Sequence, residues 1–302
     1  MFTAILGFLF STLSYEGGKM EILKKEDARI IHLMDGIHLY DDKLDITGKE
    51  AWFAQAQGSL IVKDSLVIKA PDEVTIVGDS LYFDTEERTS YIFRRVVATR
   101  GSTRISGPRL TIDHRKREAY IPFGARIHDS KENILILGEE VTYNLNEDRG
   151  SIMKRPVFSS DEENSGFKVT GERMHIDKKQ KVASAASNVR IDTDDADVYT
   201  DSLELYYNAD KGHAFGNTYI ISPDGRIQAD SADFWTSGRE LEEVFLYPEV
   251  ETRHVTEGTD SVVVKSTNLT IDMKQKNKEV MIFTGNVYGK YFWNEESEDG
   301  KD

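Results

Sequence analysis

A chain of 302 residues, 39% of them apolar, is long enough for two ordinary domains and apolar enough for a substantial core. Its formal charge of −15 argues against nucleic acid, which needs a basic stripe, and weighs against adhesion to anionic membrane surfaces. With no cysteine, disulfides, thiolate metal sites and thiol nucleophiles are excluded.

Residues 1–14 read M-F-T-A-I-L-G-F-L-F-S-T-L-S. The apolar run is too short to span a bilayer and matches the hydrophobic segment of a signal peptide, with Thr12 and Ser14 as small residues before a cleavage point. No Lys or Arg precedes it, so the charged start of a signal peptide is missing. Residues 15–27 form a polar lead-in, after which Ile31, Leu33, Ile37 and Leu39 alternate with polar residues as a partial unit capping the first end.

The body of the chain repeats. Taking Gly78 in V-T-I-V-G-D-S-L-Y-F-D as an anchor, equivalents stand at Gly48, Gly107, Gly138, Gly171, Thr200, Ala229 and Ser266. The successive steps are 30, 29, 31, 33, 29, 29 and 37 residues, a period that predicts a stacked repeat. Two residues before each anchor is an Ile or Val. Three and five residues after it are further apolar columns, such as Leu81 and Phe83, Leu110 and Ile112, Val141 and Tyr143. Alternation of this kind predicts strands with one dry face and one wet face. A small anchor suits a bend or bulge. Six residues after it, Asp84, Asp113, Asn144, Asp177 and Asp272 predict the turn that ends each strand. A closing strand follows in each unit, as in Asn188-Val189-Arg190-Ile191 and Asn286-Val287-Tyr288.

The longest loops, Ser159–Gly166 and His254–Asp260, fall within units, and residues 293–302 read as an acidic disordered tail. The seven histidines are scattered without metal-ligand spacing, and Asp192, Asp194, Asp195 and Asp197 read as a solvated turn. No hydrolase elbow, phosphate loop or dinucleotide fingerprint occurs, so neither a catalytic residue nor a metal or cofactor is predicted.

The repeated pattern resembles the OstA-like family, the lipopolysaccharide-transport proteins related to LptA. The residues that carry the resemblance are Gly78-Asp79-Ser80-Leu81-Tyr82-Phe83-Asp84, Thr200-Asp201-Ser202-Leu203-Glu204-Leu205 and Ala229-Asp230-Ser231-Ala232-Asp233-Phe234. The closing elements are Ala214-Phe215-Gly216-Asn217-Thr218 and Phe283-Thr284-Gly285-Asn286-Val287. Two features set the chain apart: more units than a compact single-domain member, and an acidic balance unusual for handling an anionic glycolipid.

The resemblance implies an all-β fold, an open β-jellyroll or β-taco solenoid of about eight units of about 30 residues, as one repeat domain over 28–292. It implies a periplasmic, non-enzymatic bridge carrying lipopolysaccharide or a related glycolipid between inner and outer membrane. Acyl chains would lie in an apolar groove lined by Ile76, Leu81, Phe83, Ile105, Leu110, Ile112, Ile136, Val141 and Tyr143. Exposed terminal strands, expected at Ile30–Leu39 and Glu279–Phe292, would add edge-to-edge to other Lpt-type components or head-to-tail to a second copy. Two other readings stand beside this one: a closed-core structural or adhesive β-solenoid, and a carbohydrate-active β-helix.

Overall fold

The computed structural model describes residues 14–25, 28–41, 44–70, 73–131, 133–160, 167–193, 196–206, 209–237, 240–255, 261–275 and 278–292. The leader, the acidic tail, Asp194, Asp195 and the central parts of the two long loops lie outside these residues. The alternating segments are strands: β1 (Ser14–Lys25), β2 (Ala28–Tyr40), β3 (Asp45–Gly48), β4 (Glu50–Ala54), β5 (Ser59–Ala70), β6 (Val74–Asp84), β7 (Thr89–Arg100) and β8 (Thr103–Asp113). Then come β9 (Glu118–Ile121), β10 (Ala125–Asp129), β11 (Ile134–Asn144), β12 (Arg149–Ser160), β13 (Lys168–Thr170), β14 (Arg173–Asp177), β15 (Val182–Asp192) and β16 (Asp197–Tyr206). The last eight are β17 (Lys211–Ser222), β18 (Gly225–Ser237), β19 (Glu240–Tyr247), β20 (Val250–Val255), β21 (Ser261–Ser266), β22 (Asn268–Gln275), β23 (Lys278–Thr284) and β24 (Tyr288–Phe292). The described pairings are antiparallel, and a single 3-10 turn at Gln55–Gln57 is the only helical element among the described residues. No helix there is long and apolar enough to cross a membrane.

The chain divides into two compact units, Met1–Glu162 with His175–Lys179 and Glu163–Met174 with Gln180–Asp302. The lead-in is itself a strand: β1 pairs along its length with β2. Its sequence hides this because Gly17 and Gly18 interrupt a run of charged residues. Ile30–Leu39 is consequently not an edge. It lies in β2, which pairs with β1 on one side and with β3 and β4 on the other.

Each repeat is built around a fold-over at its anchor. Gly78 in β6 faces a two-residue bulge in each neighbouring strand, at Asp64-Ser65 in β5 and Arg94-Arg95 in β7, where the register shifts. All four bulge residues have left-handed backbones, with φ between 48° and 59°. That conformation costs a side chain about 1–2 kcal/mol and suits Gly or Asn far better. This explains the Gly-Asn in the closing elements: Gly216 and Asn217, and Gly285 and Asn286, occupy the two left-handed positions.

In four of the repeats a polar clasp ties the bulge to the residue after the anchor, 16 positions earlier. Arg95 Nε and Nη2 donate to Asp79 Oδ1 at 2.9 and 2.6 Å, and Arg155 pairs with Glu139. In the second unit the amides of Asn188 and Asn217 donate to Glu172 at 2.7 Å and to Asp201 at 3.0 Å.

The anchor is small because of what sits opposite. A Cβ on Gly78 would lie 2.9 Å from Ile92 Cγ2, one on Gly107 2.9 Å from Ile121 Cγ2, and one on Gly48 2.6 Å from Val62 Cγ1. The obstructing residue is 14 positions downstream in every case. Further along the chain Ala185 stands 14 beyond Gly171, and at the next anchor the sizes trade places, with Ala214 standing 14 beyond Thr200. Thr200 then fills the space its partner has given up and bonds Thr218 Oγ1 at 3.2 Å.

Turns close the strands as their sequence predicts. The side chains of Asp84, Asp113 and Asn144 each accept two backbone N–H groups of the following turn at 2.8–3.0 Å. A left-handed residue, Arg88, Arg117 or Asp148, completes each turn. Inside the fold-over the column three residues after the anchor is buried in all eight repeats, from Ala51 to Leu269.

This anchor pairing predicts a specific coupling. Gly78→Ala should destabilise the protein by about 1–3 kcal/mol through overpacking, and Ile92→Ala by about 2–5 kcal/mol through a cavity. The double variant should recover at least about 1 kcal/mol of their sum. Denaturant midpoints measure this, and strict additivity would show that the anchor does not answer to its partner.

Candidate functional site

Within the first unit the fold-over brings the two halves of the strands face to face around one apolar crevice. Leu44, Ile46, Ile68 and Ile76 line it from one half, and Leu81, Phe83, Ser90, Ile92, Ile112 and His114 from the other. Its cavity volume is about 30 Å³, room for a water or two, within a wider opening of about 450 Å³ that includes open solvent. Cross-strand pairing explains the lining, since Ile46, Ile68 and Ile76 form one row across β3, β5 and β6, and Phe83, Ser90 and Ile112 form another across β6, β7 and β8.

Four of the nine residues expected to line a groove, Ile76, Leu81, Phe83 and Ile112, meet here. Leu110, Ile136 and Val141 are buried without reaching the crevice, and Ile105 and Tyr143 are half-buried. Tyr143 gives its hydroxyl to Asp148, whose carboxyl is held below its usual range chiefly by that bond.

The residues that sequence reasoning missed are polar. Ser90 Oγ lies 2.8 Å from His114 Nε2, and the imidazole sits edge-on to the Phe83 ring, with centroids 5.6 Å apart. The partners are 24 residues apart in sequence, and only the pairing of β7 with β8 joins them: Ser90 stands opposite Ile112, and the His114 amide donates to the Arg88 carbonyl. Burial pushes the His114 pKa down to about 4, against a weaker opposing pull from Asp113. Its Nδ1 is buried without a hydrogen-bond partner, so the pair lacks the acid that orients an imidazole in a hydrolytic triad. The arrangement offers a neutral hydrogen-bonding spot at the end of an apolar space, suited to an apolar chain with a polar end.

Three other histidines are spent on local structure. His32 stacks on Trp52 at 4.5 Å, His38 pairs with Asp45 at 3.2 Å, and His213 bonds Asp233. Arg190 pairs with Asp192 and Asp197, the described members of the acidic cluster.

In the second unit the corresponding positions carry smaller and more polar side chains. Ala185, Ala214, Ala229 and Ala232 are buried along with Thr200 and Thr218, while Val198, Leu205, Ile227 and Phe234 are half-buried.

No protein-family profile and no curated protein matches the chain. Among solved structures, it is similar to the crystal structure of LptH, the LptA-homologous periplasmic component of the lipopolysaccharide transport device from Pseudomonas aeruginosa. That match has 11% identity and a TM-score of 0.20, covering 44% of this chain and 74% of that one.

The His114 environment sets a pH dependence. An unfolded histidine titrates near 6.5 and the folded one near 4, so the unfolded chain takes up a proton first as pH falls. Stability should drop between about pH 6.5 and 4 by roughly 3 kcal/mol at most. In His114→Phe that component of the fall should vanish in urea titrations at each pH; an unchanged profile would mean the imidazole is not held neutral by the fold.

Proposed function

We propose that this protein is a carrier for a lipopolysaccharide-type glycolipid, holding an acyl chain in the apolar crevice of its first unit as part of a periplasmic bridge between membranes. The observation that carries the reading is the crevice itself, an apolar space enclosed by the two halves of folded-over strands that repeat the OstA-like pattern. Burying each methylene of an acyl chain is worth about 0.8 kcal/mol, so even a partly inserted chain is held appreciably. The Ser90–His114 pair would meet a polar group on that chain, and the lining would have to part further to admit more than a short segment.

The terminal strands support the transfer partners this reading requires. Among the described residues β1 pairs only with β2, β23 only with β22 and β24 only with β21. They expose apolar side chains, Met20 and Ile22 on β1 and Tyr288, Tyr291 and Phe292 on β24, each at least half exposed. Open backbone edges bearing apolar side chains suit strand addition by other transport components or by a second copy.

The closed-core reading has an observation of its own. Seven of the nine expected groove residues, Ile76 and Leu110 among them, are less than a tenth exposed, as a purely structural core requires.

Native mass spectrometry separates the two. Protein purified from a Gram-negative periplasm should carry lipopolysaccharide, and a Phe83→Glu variant with unchanged circular dichroism should lose it. Lipid-free wild type would leave the apolar columns as a core and remove the carrier function.

A further inference from the structure

The walls of the crevice in the first unit are aliphatic and aromatic, and two polar side chains interrupt them. Of the residues that line it, only Ser90 and His114 carry polar side-chain atoms. Ser90 is 8% exposed, and its Oγ lies 2.8 Å from His114 Nε2. The cavity between the walls is about 30 Å³, room for one small group before the lining parts.

The second imidazole nitrogen has no partner. His114 Nδ1 is buried without a hydrogen bond, whereas the backbone N–H of the same residue donates to the Arg88 carbonyl at 3.0 Å. A buried polar atom left unpaired is unfavourable, so a group arriving in the crevice gains by pairing with it. The Ser90 hydroxyl can give or receive the bond to Nε2. Nδ1 can accordingly donate to a carbonyl oxygen or accept a hydroxyl proton. Among the described residues no cation lines the crevice. The two cations that follow His114 in its turn are engaged elsewhere: Arg115 donates to the Glu86 carbonyl, and Lys116 Nζ lies 3.5 Å from Asp113. A carboxylate seated beside His114 would lack a counter-charge, and burying an unpaired ion costs far more than burying a hydrogen-bonded amide or hydroxyl.

We propose, on the reading of the crevice as an acyl site, that Ser90 and His114 select an acyl compound whose polar end is an uncharged ester, amide or alcohol over a free fatty acid. The carbonyl or hydroxyl of the ligand meets His114 Nδ1, and its chain runs along Phe83 and the aliphatic rows. Burial holds the imidazole neutral, so it meets an uncharged group without either partner gaining or losing a proton. Ser90 is a positioning residue. Its bond to Nε2 fixes the ring, against which Phe83 stands edge-on with centroids 5.6 Å apart.

Two amphiphiles of one chain length, 1-monodecanoylglycerol and decanoate, test this selection. Each is titrated at neutral pH, below its micelle concentration, into the full-length protein carrying nitrogen-15-labelled histidine. The ester should bind at least about tenfold more tightly than decanoate and should move the Nδ1 resonance of His114. His114→Phe should weaken ester binding about five- to tenfold. Ser90→Ala should weaken it by a smaller factor, and it carries the test if circular dichroism shows His114→Phe unfolded. If neither amphiphile binds, the crevice is not an acyl site and the carrier reading falls together with its selectivity. If both bind alike, the carrier reading stands and the selection is overturned. The same holds if the ester binds while the His114 resonance stays put, as it would with a buried water on Nδ1.

Discussion

The fold depends on a steric constraint at one position in each repeat, where a strand must bend while two neighbouring strands bulge against it. At Gly78 the space that a Cβ would need is taken by Ile92. The bend is small on one side because it is large on the other. At Thr200 and Ala214 the sizes are exchanged, so there the constraint is met by the pair rather than by a glycine. Once the strand folds over at this point, the two apolar columns beyond it and the one before it face the same interior. The bulges that permit the fold-over place side chains in left-handed backbones, and the clasp 16 residues long supplies a compensating bond. In Arg94-Arg95 that compensation falls on a guanidinium; in Gly216-Asn217 the backbone cost is already low.

The interior that results differs between the two units for the same reason. Where the residue opposite the anchor is Ile or Val, aliphatic side chains fill the fold-over and leave the crevice bounded by Ile76, Phe83 and Ile92. Where it is Ala, hydroxyls and small side chains occupy the interior, as at Thr200, Thr218 and Ala229. The Ser90–His114 pair is the exception in the first unit. It is a neutral polar contact in an apolar wall, kept neutral because protonating a largely desolvated imidazole without a carboxylate partner is unfavourable.

The same architecture sorts charge. An antiparallel strand gives alternate residues to opposite faces, so a sequence rich in both carboxylates and cations can separate them by register alone. Arg104 and Arg126 reach one outward face because each lies one step from an inward Ile105 or Ile127.

Sequence by itself determined the repeat, its period, the inward columns and the turns. These are local consequences of alternation and of Asp or Asn side chains reaching the next two backbone N–H groups, as at Asp84 and Asp113. It did not reveal β1, whose glycines and charges mask its alternation and whose existence depends on pairing with β2. Nor did it reveal that Ile30–Leu39 is flanked on both sides, because an edge is a property of neighbours. Tertiary structure alone decided which apolar columns share a crevice and that Ser90 meets His114. Each of these joins residues about 20 or more apart through the register of separate strands, and register is fixed by the packing of whole strands at the bend rather than by any local run of residues.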